Sequence, residues 1–131
     1  MIVAGLALAG LAALVHVYIF ALESLLWSRP ATRRTFGLRD AEESRVTRPL
    51  AFNQGFYNLF LAILVALGIV LVATGALAIG ATLVFAGAGS MVAAGVVLMA
   101  SSPRLARAAL VQALPPLLGI VALLIGLLAA P

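Results

Sequence analysis

Few residues in this chain can do chemistry, and they are bunched. The stretch His16-Val-Tyr-Ile-Phe-Ala-Leu-Glu-Ser-Leu-Leu-Trp27 holds the only histidine, the only tryptophan and one of the four acids. In a helix, His16, Phe20, Glu23 and Trp27 share one face, at i, i+4, i+7 and i+11. A second group, Asn53-Gln-Gly-Phe-Tyr-Asn58, brings Asn53, Gln54, Tyr57 and Asn58 into one arc and leaves Gly55 for close approach of a neighbour. Gln112 is a further isolated amide. An ionisable group inside an apolar helix costs a few kcal/mol, so such groups face a bundle interior and often mark function.

Glu23 has two readings. One is a carboxylate that exchanges a proton with a bound ligand, with the amides hydrogen-bonding whichever form is present. The other is a carboxylate that reaches water or pairs with a nearby arginine such as Arg29. His16, with Tyr18 beside it, reads as a neutral helix–helix hydrogen-bond partner or as a proton relay to Glu23. One histidine, one glutamate and amides make a poor zinc site, so no metal is expected. A haem on a single histidine would need an open axial position or a symmetric dimer, and the cofactor question stays open. No serine or cysteine nucleophile with an adjacent base and no phosphate loop is present, which ranks a membrane enzyme last.

These groups sit in an extremely apolar chain. Of 131 residues, 65% are hydrophobic and 9% charged, and mean hydropathy is +1.24. Soluble domains have about 25% charged residues, so the expectation is an all-α, polytopic membrane protein, a four-transmembrane-helix bundle in one domain. The spans fall at about 2–27, 51–74, 80–100 and 105–129, with polar loops at 28–50 and 101–104. The first span lacks a basic start and a small-residue cleavage site, and reads as uncleaved. Without cysteines, disulfides and Cys-ligated metals are excluded.

Packing signals are spaced by four: Gly5, Ala9 and Ala13 in span one; Ala86, Ser90 and Ala94, with Gly87 and Gly95, in span three. Small residues at this spacing let membrane helices approach closely. Trp27 reads as an interfacial aromatic. In the long loop, Asp40–Val46 reads as a short interfacial helix, with Phe36 and Leu38 dipping toward lipid. Pro115 and Pro116 lie inside span four.

All eight basic residues are arginines: Arg29, Arg33, Arg34, Arg39, Arg45, Arg48, Arg104 and Arg107. They occupy only the loop after span one and the short basic stretch 101–107 after span three. By the positive-inside rule those loops are cytoplasmic and both termini extracytoplasmic, as in a bacterial inner membrane. This basic charge predicts contact with anionic lipid headgroups, and no nucleic acid. Glu23, Asn53, Gln54, Asn58 and Gln112 then share the cytoplasmic half, around one polar pocket, with His16 near mid-membrane.

The motifs His16-x-Tyr18-Ile-Phe-x-Leu-Glu23-x-x-x-Trp27 and Asn53-Gln-Gly-x-Tyr-Asn58, then Gln112 followed by Pro115, resemble the signature of a small four-span bacterial membrane family. It is catalogued as domain of unknown function 1304, and the resemblance spans nearly the whole chain. It implies a four-helix integral protein of the inner membrane and no particular activity. The small multidrug transporters offer an analogy, with four spans and a functional glutamate in span one. This chain departs from them in its long first loop and in an arginine bias that forbids dual topology.

Two main functions follow. In the first, the pocket binds or transports a small polar or cationic ligand, with Glu23 exchanging a proton. In the second, the chain is a structural or regulatory membrane subunit that docks a partner. Association into a homo-oligomer is compatible with either. Reporter fusions test the orientation: a fusion at Ser102 should report cytoplasm and one at the C-terminus the opposite side, and the reverse pattern would overturn it.

Overall fold

The computed structural model describes residues 1–129. Among them the chain is helix throughout, with no strand: α1 (Ile2–Phe20), a π-helical turn (Ala21–Leu25), α2 (Pro30–Phe36), α3 (Ala41–Ala73), α4 (Leu77–Ser101), a 3₁₀ turn (Pro103–Leu105) and α5 (Ala106–Leu128). Four of these stretches are long and apolar enough to cross a membrane: Ile2–Leu25, Ala41–Ala73, Leu77–Ser101 and Pro103–Leu128. They form a ring in which α1 packs on α3 and α5, and α4 packs on the same two.

Lipid tails are as apolar as leucine, so burying apolar side chains does not drive these helices together; close packing and interhelical hydrogen bonds do. The core is accordingly small-grained. Ala9, Ala12, Ala13, Ala62 and Ala88 surround Val65, Val84, Met91 and Leu123, all buried. Glycines set the closest approaches. A Cβ on Gly5 would stand 2.5 Å from the backbone N of Leu123, and one on Gly68 2.7 Å from the carbonyl of Gly80. The pairs Gly5–Leu123, Ala9–Gly119 and Ile2–Gly126 share one antiparallel register, which puts His16 opposite Gln112.

The expected ridge Gly5–Ala9–Ala13 is buried. In α4 the buried row is Gly80, Ala81, Val84, Gly87, Ala88, Met91 and Gly95. Ala86, Ser90 and Ala94 face outward instead, with the Ser90 hydroxyl turned back to donate to the carbonyl of Ala86 at 2.8 Å. The row through Gly80, Val84, Gly87 and Met91 combines close approach with bulk, and it outcompetes a ridge of alanine and serine.

The polar segment is more helical than its composition suggests. Asp40 caps α3, its Oδ1 accepting from the backbone N–H of Glu43 at 2.8 Å. The helix then continues without a break past Pro49. Proline removes one hydrogen bond, here to the carbonyl of Arg45, and Pro49 is exposed, so that carbonyl is within reach of water. Helix α3 is therefore roughly 50 Å long at 1.5 Å per residue, well beyond a 30 Å hydrocarbon core. Its first turns project past the membrane at the arginine-bearing end. Gly37 (φ 67°) and Gly75 (φ 95°) end α2 and α3 in the left-handed conformation, and the N–H of Ala76 closes the second turn on Leu71 O at 2.9 Å.

Gly5→Val should lower thermal stability in detergent by about 1–3 kcal/mol through overpacking. Gly89→Ala, whose Cβ meets nothing within 4 Å, should leave it unchanged or raise it. Equal melting behaviour of the two variants would contradict the α1–α5 contact.

Candidate functional site

The site is built where α1 gives up its regular winding. At Ala21–Leu25 the turn is π-helical, with the N–H of Leu26 bonded to the carbonyl of Ala21 at 2.9 Å. Such turns insert one extra residue into the winding and recur at functional sites. Glu23 lies in this turn. Opposite it is Gly55 of α3, whose missing Cβ would collide with the Ser24 hydroxyl and stand 3.1 Å from the carbonyl of Phe20. This approach lets Ser24 Oγ donate across the interface to the carbonyl of Phe52 at 2.9 Å.

One helical turn along α3, Asn58 Nδ2 donates to Glu23 Oε2 at 2.9 Å and to the carbonyl of Gln54 at 3.1 Å. Phe20 and Phe56 close one side, with ring centroids 5.2 Å apart and edge-to-face. Among the described residues the ion pairs are Arg39–Glu43 and Arg45–Glu42, both on the exposed start of α3. Glu23 thus has no cationic partner, although eight arginines lie at its end of the bundle. The pairing with Arg29 weighed from the sequence is not formed.

The remaining sequence-selected residues spread out. His16 is buried, its Nδ1 2.9 Å from the carbonyl of Ala12. Gln112 is half-buried opposite it. Asn53, Gln54, Tyr18 and Tyr57 are exposed on the outer face of the bundle. The structure therefore joins Glu23 to Asn58 and leaves Asn53, Gln54 and Tyr57 outside that contact, because the arc they share is wider than the seam between two helices. Trp27 is buried: its Nε1 donates to the carbonyl of Ser44 at 3.1 Å and to Thr47 Oγ1 at 3.2 Å. Its ring packs on Phe36, centroids 4.9 Å apart. Trp27 ties the α2 segment to the projecting start of α3, and Phe36 turns inward with it.

Depth can be counted from the opposite end of the bundle. Tyr18, Tyr57 and Gln112 lie roughly 24 Å from Ile2, Ala73 and Leu128 respectively, at 1.5 Å per residue. Glu23 and Asn53 lie at roughly 30 Å on the same count, at the edge of a hydrocarbon core about 30 Å thick. Two exposed tyrosines at one depth suit an aromatic belt. His16 lies at roughly 21 Å on that count. Ser24 was missed by the sequence reading. Its signal was a small hydroxyl beside Glu23, matched to a glycine in the amide motif.

Helices, ring and polar slab together define a multi-pass, four-helix membrane protein. Residues 10–124 match the family described as "Protein of unknown function (DUF1304)", and the chain belongs to that family. No curated protein matches it, and no solved structure does.

A double-mutant cycle measures the central contact. Glu23→Ala and Asn58→Ala should couple by about 0.6–2 kcal/mol in unfolding free energy, the range for interhelical hydrogen bonds in membranes. Strict additivity would contradict the contact.

Proposed function

We propose that this protein is an inner-membrane bundle, arginine-bearing end in the cytoplasm and both termini outside, that binds a small cationic or polar ligand at Glu23. The carboxyl group exchanges a proton for the ligand, and Asn58 orients it in both states. The observation that carries this reading is the isolation of Glu23: one oxygen is held by a neutral amide, and no described cation is paired with it. A carboxylate whose role was structural would be expected to recruit one of the arginines at its own end. Here its second oxygen has no hydrogen-bond partner among the described residues, and that oxygen is the one proposed to meet the ligand.

The position supports the same reading. Glu23 stands at the edge of the hydrocarbon core, where a cation can arrive from water and lose only part of its hydration. Phe20 and Phe56 flank the site, and aromatic faces attract cations. Exchange of a proton for a cation leaves the net charge of the site unchanged, which avoids the cost of a bare charge in low dielectric. Exposure of the same site to the opposite side in turn would make the protein a transporter, with the π-helical turn as the element that can rewind.

Calorimetric titration with two monovalent cations, tetraphenylphosphonium and tetramethylammonium, in two buffers of different ionisation enthalpy, tests this. Wild type should bind at least one of them and release a proton, while Glu23→Gln should bind about tenfold more weakly or worse and release none. Failure of wild type to bind either cation, or equal binding by the variant, would overturn the proposal.

A further inference from the structure

The loop after the π-helical turn and the projecting start of α3 enclose an open recess of about 270 Å³, whose lining includes Ser24, Trp27, Ser28, Arg29 and Arg48. Arg29 and Arg48 come from different segments, and among the described residues neither enters an ion pair. Trp27, two residues before Arg29, is bonded to Ser44 and Thr47 of α3, so the segment carrying Arg29 is tied to the helix carrying Arg48. We propose that this recess binds the phosphate of an anionic phospholipid, the two guanidinium groups gripping its oxygens from either side.

Depth favours a membrane lipid. Arg48 lies roughly 37 Å from Ala73 along α3, some 7 Å past a 30 Å hydrocarbon core and so within the headgroup layer. Just below it, at roughly 32–35 Å on the same count and so at the boundary of headgroup and hydrocarbon, the surface turns apolar: Leu25 is 67% exposed and Leu50 70%, with Phe52 also exposed, where the first carbons of a bound lipid's acyl chains would lie. Planar guanidinium groups bind phosphate oxygens in pairs, whereas an ammonium acts as a point charge. The site is distinct from Glu23, whose proposed ligand is of opposite charge.

Native mass spectrometry of the full chain in neutral detergent tests the inference, with phosphatidylglycerol, phosphatidylcholine and inorganic phosphate as probes. Wild type should retain phosphatidylglycerol about tenfold better than phosphatidylcholine. Arg29→Gln with Arg48→Gln should abolish that preference, while Arg34→Gln with Arg104→Gln, the same charge removed outside the recess, should preserve it. If the first pair prevents folding, Arg48→Lys keeps the charge, loses the planar fork, and should still weaken the preference. The inference is overturned if wild type treats the two lipids alike, if the control pair weakens binding as much, if Arg48→Lys changes nothing, or if inorganic phosphate displaces the lipid and so marks a free-phosphate site.

Discussion

The site depends on one close approach, that of α3 to the π-helical turn of α1 at Gly55. A side chain there would strike the Ser24 hydroxyl, so only glycine lets the two backbones meet. Everything polar in the site follows from that distance. Ser24 reaches the carbonyl of Phe52, Asn58 reaches Glu23, and Phe20 meets Phe56. The extra residue wound into the π-helical turn aims Glu23 at this seam while α1 above it keeps its alanine face against α5. Without the turn, the regular winding would carry Glu23 and Trp27 on as a single stripe.

The membrane explains why this contact can matter. In water a bundle of this size would be held by burial of leucine and valine; in lipid those side chains gain nothing by turning inward. Exposed leucines and isoleucines accordingly cover the outside, and glycine and alanine fill the seams. Interhelical polar contacts within the span are few, and they collect at the arginine-bearing end. The two ends of the bundle therefore differ in character. One end is joined by the short turn 74–76 and by tight glycine contacts, and the other carries the carboxylate, the amides, the tyrosines and all the arginines.

Much of the fold was legible in the sequence because bilayer thickness and charge distribution constrain it strongly. An apolar run of some twenty residues has one meaning, and Gly5, Ala9 and Ala13 spaced by four have nearly one. Local rules that compete with one another were less legible. The polar loop was expected to run to residue 50, yet Pro49, a proline outside the hydrocarbon, leaves its freed carbonyl within reach of water and the helix runs through it. Ala86, Ser90 and Ala94 had the right spacing, but the neighbouring row held both the glycines and the bulk. In the site, the pairing of Glu23 with the amide motif was readable as shared depth; the choice of Asn58 over Asn53, Gln54 and Tyr57 depended on the π-helical turn, for which no residue pattern gives a clear sign. Trp27 was placed at the correct end, but its burial depended on Ser44 and Thr47, separated from it by the α2 segment.

The central claim is that Glu23 is an uncompensated carboxyl group, held by Asn58 and free to change protonation. Infrared difference spectroscopy across the pH range in which the protein stays folded tests it most directly, through the carboxyl C=O stretch of a single residue. The account predicts a protonation-dependent band that disappears in Glu23→Gln and shifts in frequency in Asn58→Leu. A wild-type difference spectrum identical to that of Glu23→Gln would contradict it, as would a band indifferent to the loss of Asn58.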